Sequence, residues 1–268
     1  MNPALIASNG LAAIREHHPM VHHITNSVVM NFTANVTLCM GAAPVMAPCI
    51  DESPEMVQYA GALLLNIGTL DHTLIDSMIA AGKKANELAI PVVLDPVGVG
   101  ATNLRTNSAN RIISELEISI VRGNAGEILA LAGKHGKVRG VDSMDTIDDR
   151  IELISSLALE TGWVIAITGS TDIVTDGTRT VEINNGHPIM GRVTGTGCAA
   201  TTAVACYAAA VEDRFEAAAG ALISFGIAGE CAAEKCKGPG TFVPQLLDAL
   251  ADLDEETIGR KTRAVVLL

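Results

Sequence analysis

The chain has 268 residues, a net charge of -12, 49% hydrophobic and only 3% aromatic residues. Its core must therefore be built from Ala, Val, Ile, Leu and Met. With no basic stripe to displace counterions, nucleic acid and anionic membrane surfaces are excluded as partners. Residues 1–15 lack the charged and apolar regions of a signal peptide, and no uncharged apolar span reaches about 18 residues. A cytoplasmic protein is expected. Six cysteines without CxxC spacing fit reduced thiols rather than a disulfide frame or a zinc site.

Taken in chain order, short apolar runs alternate with helix-length segments, which is the βαβ rhythm. Strands are predicted at residues 21–24, 44–46, 62–67, 91–94, 118–121 and 164–167. Continuous runs such as Leu63-Leu64-Leu65 and Val92-Val93-Leu94 are what strands buried on both faces look like. Residues 173–175 and 178–183 flank Asp176-Gly177, a dipeptide favoured in tight hairpin turns, so an antiparallel hairpin should join a largely parallel sheet. Beyond Thr196 the pattern reads as almost wholly helical, with runs at 199–211, 214–234 and 243–250. No repeat, low-complexity tract or Pro/Ser-rich linker interrupts the chain, and a single α/β domain over 1–268 is expected.

In open α/β sheets ligands bind outside the carboxyl ends of the strands. Those positions are polar here. Asp95 follows the strand at 91–94 and precedes a loop with Gly98 and Gly100; it either caps the next turn or faces a ligand. Arg122 opens Gly123-Asn124-Ala125-Gly126-Glu127, where Asn124 and Glu127 read most simply as a helix capping box, though a carboxylate and an amide at that spacing can also hold a hydrated Mg2+. Thr168 ends the strand at 164–167, its hydroxyl free to bond a phosphate oxygen or its own backbone. Gly195-Thr196-Gly197-Cys198 feeds a helix whose first amides form an anion site, a field expected to lower the Cys198 pKa. Neither a GxGxxG after the first strand nor a GxxxxGK followed by Ser or Thr is present, which excludes the common dinucleotide and P-loop folds. His17, His18, His22 and His23 straddle a helix-to-strand junction, and no further ligand spacing supports a metal site there.

Several fragments together carry a resemblance: His23-Ile24-Thr25-Asn26-Ser27-Val28-Val29, Asn31-Phe32-Thr33-Ala34-Asn35, Gly41-Ala42-Ala43-Pro44-Val45-Met46, Leu65-Asn66-Ile67-Gly68-Thr69-Leu70, Asp95-Pro96-Val97-Gly98, Arg122-Gly123-Asn124-Ala125-Gly126-Glu127 and Thr194-Gly195-Thr196-Gly197-Cys198. Over nearly its whole length the chain resembles the hydroxyethylthiazole kinases of thiamine salvage. The resemblance implies a ribokinase-like three-layer αβα fold and ATP-dependent, Mg2+-requiring phosphorylation of 4-methyl-5-(2-hydroxyethyl)thiazole. It implies nucleotide contacts at Arg122 and Thr168, and Asp95 and Glu127 near metal and phosphates. Asn26, Met46 and Gly195 are implied at the thiazole, and Gly197 and Cys198 at the reacting centre. A homotrimer with active sites between subunits is also implied.

Related kinases of this fold carry Asp where Cys198 stands, which argues against a hydroxymethylpyrimidine kinase. A thiol is a poor base, so the loop amides are expected to outweigh it in catalysis. A cysteine hydrolase needs a base, and no His falls in the strand-end loops near Asp95, Arg122 or Thr168. A silent thiazole or nucleotide sensor is the remaining rival.

Overall fold

Aliphatic runs too short for helices become strands, and their side chains divide by alternation between two helical layers. The computed structural model describes residues 1–134 and 147–267. Among these, nine strands form one sheet: β1 (Met20–Ile24), β2 (Ala43–Val45), β3 (Ala62–Asn66), β4 (Val92–Asp95), β5 (Ile120–Asn124), β6 (Val164–Thr168), β7 (Asp172–Thr175), β8 (Thr180–Ile183) and β9 (Ala264–Val266). The order is β2-β1-β3-β4-β5-β6-β7-β8-β9, parallel from β2 to β6 and antiparallel beyond.

One face of the sheet, with Val21, Leu64, Val93, Ile120 and Ala166, packs on α1 (Pro3–His17), α2 (Met30–Met40), α8 (Thr196–Ala208), α9 (Arg214–Lys235) and α10 (Pro239–Asp252). The opposite face, with Ile24, Leu65, Leu94, Val121 and Ile165, packs on α4 (His72–Glu87), α5 (Asn103–Glu115), α6 (Ala125–Lys134) and α7 (Ile147–Thr161). Two short helices complete the chain order, α3 (Ser53–Met56) between β2 and β3 and α11 (Glu255–Lys261) before β9. Small residues let α8 and α9 approach closely, and the gap they leave is filled by Tyr207. Its hydroxyl bonds the Ala7 carbonyl and Ser224 Oγ, both at 2.7 Å, so the buried polar tip is satisfied. Among the described residues one helix, α9, is long and apolar enough to cross a membrane, but 89% of its most apolar window is buried inside the fold.

The expected, almost wholly helical run beyond Thr196 is present as α8 to α11, with one addition: Ala264-Val265-Val266 forms the edge strand β9, pairing Val181 with Val266 and Ile183 with Ala264. A run this short has no periodicity to read, and only the free edge of β8 makes it a strand. The turn of the expected hairpin spans residues 176–179: the Asp176 amide donates to the Arg179 carbonyl at 3.2 Å, and Asp176 Oδ1 accepts from the Thr178 and Arg179 amides at 2.9 and 2.7 Å. Those amides are thereby drawn into an Asx turn, and β8 starts at Thr180.

Candidate active site

Parallel strands all present their carboxyl ends at one edge, and here each of the central ones ends in, or just before, a polar residue. The register sets Asn66 of β3 directly beside Asp95 of β4. Asn66 Nδ2 donates to Asp95 Oδ2 at 2.8 Å, and the same oxygen accepts from Thr201 Oγ1, one turn into α8, at 2.7 Å. Asn66 Oδ1 accepts from Asn26 Nδ2 at 2.7 Å and from the Gly68 amide at 2.9 Å. Asn26 Nδ2 also donates to Cys198 Sγ at 3.5 Å. Asn26, Asn66 and Asp95 are all buried. Asp95 Oδ1 has no protein partner.

Burial pushes the Asp95 carboxyl up to about 6. The Arg122 guanidinium and the Thr201 and Asn66 hydrogen bonds hold it down, while Glu127 adds to the rise. Arg122, buried in the middle of β5, donates from Nη2 to Thr168 Oγ1 on β6 and holds Nη1 3.9 Å from Asp95 Oδ2, leaving its Nε without a partner. A cleft of about 510 Å3 opens from this point, lined by Arg122, Thr168, Asp172, Gly197 and Phe225 among others.

The loop before α8 is shaped by two glycines. Gly195 is the N-cap residue at φ +86°, a conformation costly for any residue with a Cβ, and a Cβ there would meet Val29 Cγ1 at 2.8 Å. At Gly197 a Cβ would lie 3.0 Å from Arg122 Nη1, so the bare backbone is what lets the guanidinium sit under the first turn of α8. The structure thus brings Asn26, Asp95, Arg122, Thr168, Gly195, Gly197 and Cys198 together at one edge. Met46 stands apart, half-buried just past β2 at the margin of the sheet.

Glu127 is adjacent but committed to the backbone. Its Oε2 accepts from the Asn124 amide at 2.8 Å while Asn124 Oδ1 accepts from the Glu127 amide at 2.9 Å, so the capping box is formed. Its other oxygen accepts from the Gly98 amide at 2.8 Å, tying the loop after Asp95 to α6. Arg105 on α5 closes the same region, donating to the carbonyls of Ile67, Gly68 and Val97.

The expected activation of Cys198 is overturned. Its thiol is pushed up to about 11, first by burial and then by the neighbouring Asp95 carboxylate, against the smaller lowering from its hydrogen bonds and Arg122. A thiol so raised stays largely protonated at neutral pH, which argues against a cysteine hydrolase. His22 Nε2 bonds the Ala47 carbonyl at 3.0 Å and His23 Nε2 bonds Thr37 Oγ1 at 3.1 Å, and among the described residues no group of three His, Cys, Asp or Glu side chains is set to hold a metal.

Sequence reasoning singled out neither Asn66 nor Thr201. Asn66 carried a usable signal, since it ends a buried aliphatic run as Asp95 does. Thr201 had none, because its place in an alanine-rich helix says nothing of which strand it faces.

The sequence profile of the hydroxyethylthiazole kinase family matches residues 11–256. A hydroxyethylthiazole kinase of Methanocella arvoryzae is 53% identical over 253 residues, which cover 94% of this chain and 95% of that protein. The solved structure of hydroxyethylthiazole kinase from Pyrococcus horikoshii superposes with a TM-score of 0.90 at 41% identity, covering 98% of this chain and 99% of that one. A ribokinase-like superfamily protein of Enterococcus faecalis, 13% identical with a TM-score of 0.64 and covering 88% of this chain and 87% of its own, shares the fold. By its sequence along nearly its full length and by its ribokinase-like fold, this chain belongs to the hydroxyethylthiazole kinase family.

Proposed function

We propose that the chain, as a single ribokinase-like domain, transfers the γ-phosphoryl group of ATP to the primary alcohol of 4-methyl-5-(2-hydroxyethyl)thiazole. The reaction forms an oxygen–phosphorus bond to the thiazole alcohol, breaks the bond to ADP and releases the alcohol proton. The carrying observation is the family membership, and the polar edge between β1 and β6 supports it by gathering anion-binding amides, a guanidinium and carboxylates at one end of α8.

Phosphoryl transfer proceeds through a loose transition state, so positioning and electrostatic stabilisation do most of the work. The α8 amides after Gly195 receive the charge of the moving phosphoryl group, aided by the positive end of the helix. Arg122 and Thr168 face the cleft and bind nucleotide phosphate through a charge-assisted fork and a hydroxyl. The thiazole would lie against Asn26 and Gly195, and Met46, which stands apart from them within one chain, would reach it from a neighbouring subunit, its polarizable thioether adapting to a sulfur heterocycle.

Asp95 and Glu127 fit a hydrated Mg2+. Asp95 Oδ1 is buried without a partner, and each Glu127 oxygen accepts one backbone amide, with lone-pair capacity left for a metal-bound water. So few protein ligands suit Mg2+, which keeps waters and binds substrate phosphates. When bound, the ion neutralises phosphate charge.

We further propose a homotrimer with sites completed between subunits. Val28, Leu38 and Ile50 are exposed on segments bordering the terminal strand β2. Sedimentation velocity tests this part of the reading, a monomer overturning it.

The central experiment measures ADP released from ATP and Mg2+ with and without hydroxyethylthiazole, with the product identified by mass. Thiazole-dependent ADP and a phosphorylated thiazole are expected. Tight thiazole binding without ADP would replace this reading with a sensor.

A further inference from the structure

The polar chain across the site has a direction fixed at both ends. Backbone amides can only donate, so the Gly68 amide sets Asn66 Oδ1 toward itself and the Val28 amide, 3.1 Å from Asn26 Oδ1, sets the Asn26 oxygen. Asn66 Nδ2 must then face Asp95, whose Oδ2 accepts it at 2.8 Å. Asn26 Nδ2 must face Asn66 Oδ1, and the Cys198 sulfur beside it can only be an acceptor. Asn66 is 1% exposed, and a Cβ on Gly68 would lie 2.7 Å from Asn26 Nδ2, so neither amide has room to turn over freely.

We infer that Asn66 is a positioning residue: by accepting from Asn26 while donating to Asp95, it fixes the Asn26 carboxamide so that its N–H faces the Cys198 sulfur. Asn66 touches neither the cleft at Arg122 nor the α8 amides. It contacts the carboxylate on the phosphate side directly and reaches the thiol on the alcohol side by orienting Asn26. This inference deepens the kinase reading and rests on it for its kinetic consequences only.

The test is Asn66→Leu, nearly isosteric and unable to hydrogen-bond, examined alone and in Asn26→Leu and Thr201→Val backgrounds. Should the leucine variant not fold, Asn66→Ala, which leaves room for a water, carries the same comparison. The expected result is a fall in kcat of roughly 10- to 100-fold, as for a misplaced reacting group, with KM for ATP within about twofold. In the Asn26→Leu background the same substitution should cost severalfold less than in the wild type, with only its share through Asp95 remaining, while the Thr201→Val background, which leaves Asn26 in place, should show a loss at least as large as in the wild type. Equal losses in every background would overturn the inference. A second readout needs no turnover: the side-chain amide signal of Asn26 in a 15N–1H spectrum, assigned by its disappearance in Asn26→Leu. It should shift or broaden in the Asn66 variant, and an unmoved signal would also overturn the inference. A wild-type chain without thiazole-dependent ADP release would defeat the kinase reading, and the amide spectrum would then decide the inference alone.

Discussion

Asn26 and Cys198, 172 residues apart in sequence, meet through a 3.5 Å hydrogen bond in which the amide nitrogen donates to the sulfur. The thiol is therefore held as an acceptor, half-buried, in a place whose desolvation favours its protonated form. The amides of the same loop need no ionisation to act.

That contrast ranks two substitutions. Cys198→Ala should lower kcat by no more than about tenfold, since a protonated thiol contributes little as a base. Gly197→Val should lower it by more than about 100-fold, because its side chain displaces Arg122 and blocks the amides that receive phosphoryl charge. Steady-state kinetics on both variants checks the ranking, and equal losses would refute it.

Activity should fall as pH drops through about 6, where Asp95 takes up its proton and no longer serves the metal and phosphates. Thr201 donates to the ionised carboxylate and holds that pKa down. Thr201→Val should therefore move the acid limb of kcat/KM to higher pH, while leaving any limb due to titration of ATP in place. A limb at the same pH in both proteins would exclude Asp95 as its source.

Glu127 combines a structural and a metal role, and two substitutions separate them. Glu127→Ala removes both backbone acceptors and should reduce unfolding stability by about 1–2 kcal/mol, the scale of losing a helix cap. Glu127→Gln keeps one carbonyl oxygen for a backbone amide and should cost less stability. Its half-saturating Mg2+ concentration should nevertheless rise by roughly tenfold, as one ligand charge is lost. Urea titration and a Mg2+ titration of activity report the two effects.

His23 lies fully enclosed with its pKa lowered to about 3 by burial, reinforced by His22. Its unfolded value is about 6.5. The unfolded chain therefore binds more protons between about pH 6.5 and 3, so this histidine makes stability fall as pH falls through that window, by at most about 1.4 kcal/mol per pH unit. Burial raises the pKa of Asp95 and Asp172, which acts in the opposite sense over part of the range. Comparing His23→Phe with wild type isolates the histidine: the variant's melting temperature should lose less between pH 7 and pH 5. Parallel curves would mean that His23 does not titrate as its burial demands.

The alternation of aliphatic runs with helical segments determined the layered, mostly parallel fold, because strands buried on both faces have no other composition available. The same runs showed where the site lies, since polar residues such as Asp95, Arg122 and Thr168 follow them at the strand ends. Strand β9 escaped the sequence because three residues carry no period of their own, and the Asp176 turn because its side-chain bonds compete with the ladder only once the hairpin exists. Tertiary structure alone decided what the site residues do to one another. Whether Glu127 also ties down the loop after Asp95, whether Thr201 faces Asp95, and how strongly the Cys198 thiol is desolvated all depend on distances across elements far apart in sequence. Local pattern fixes which groups reach the sheet edge; burial and partner geometry, set by the packing of α8 against the sheet, fix their charge.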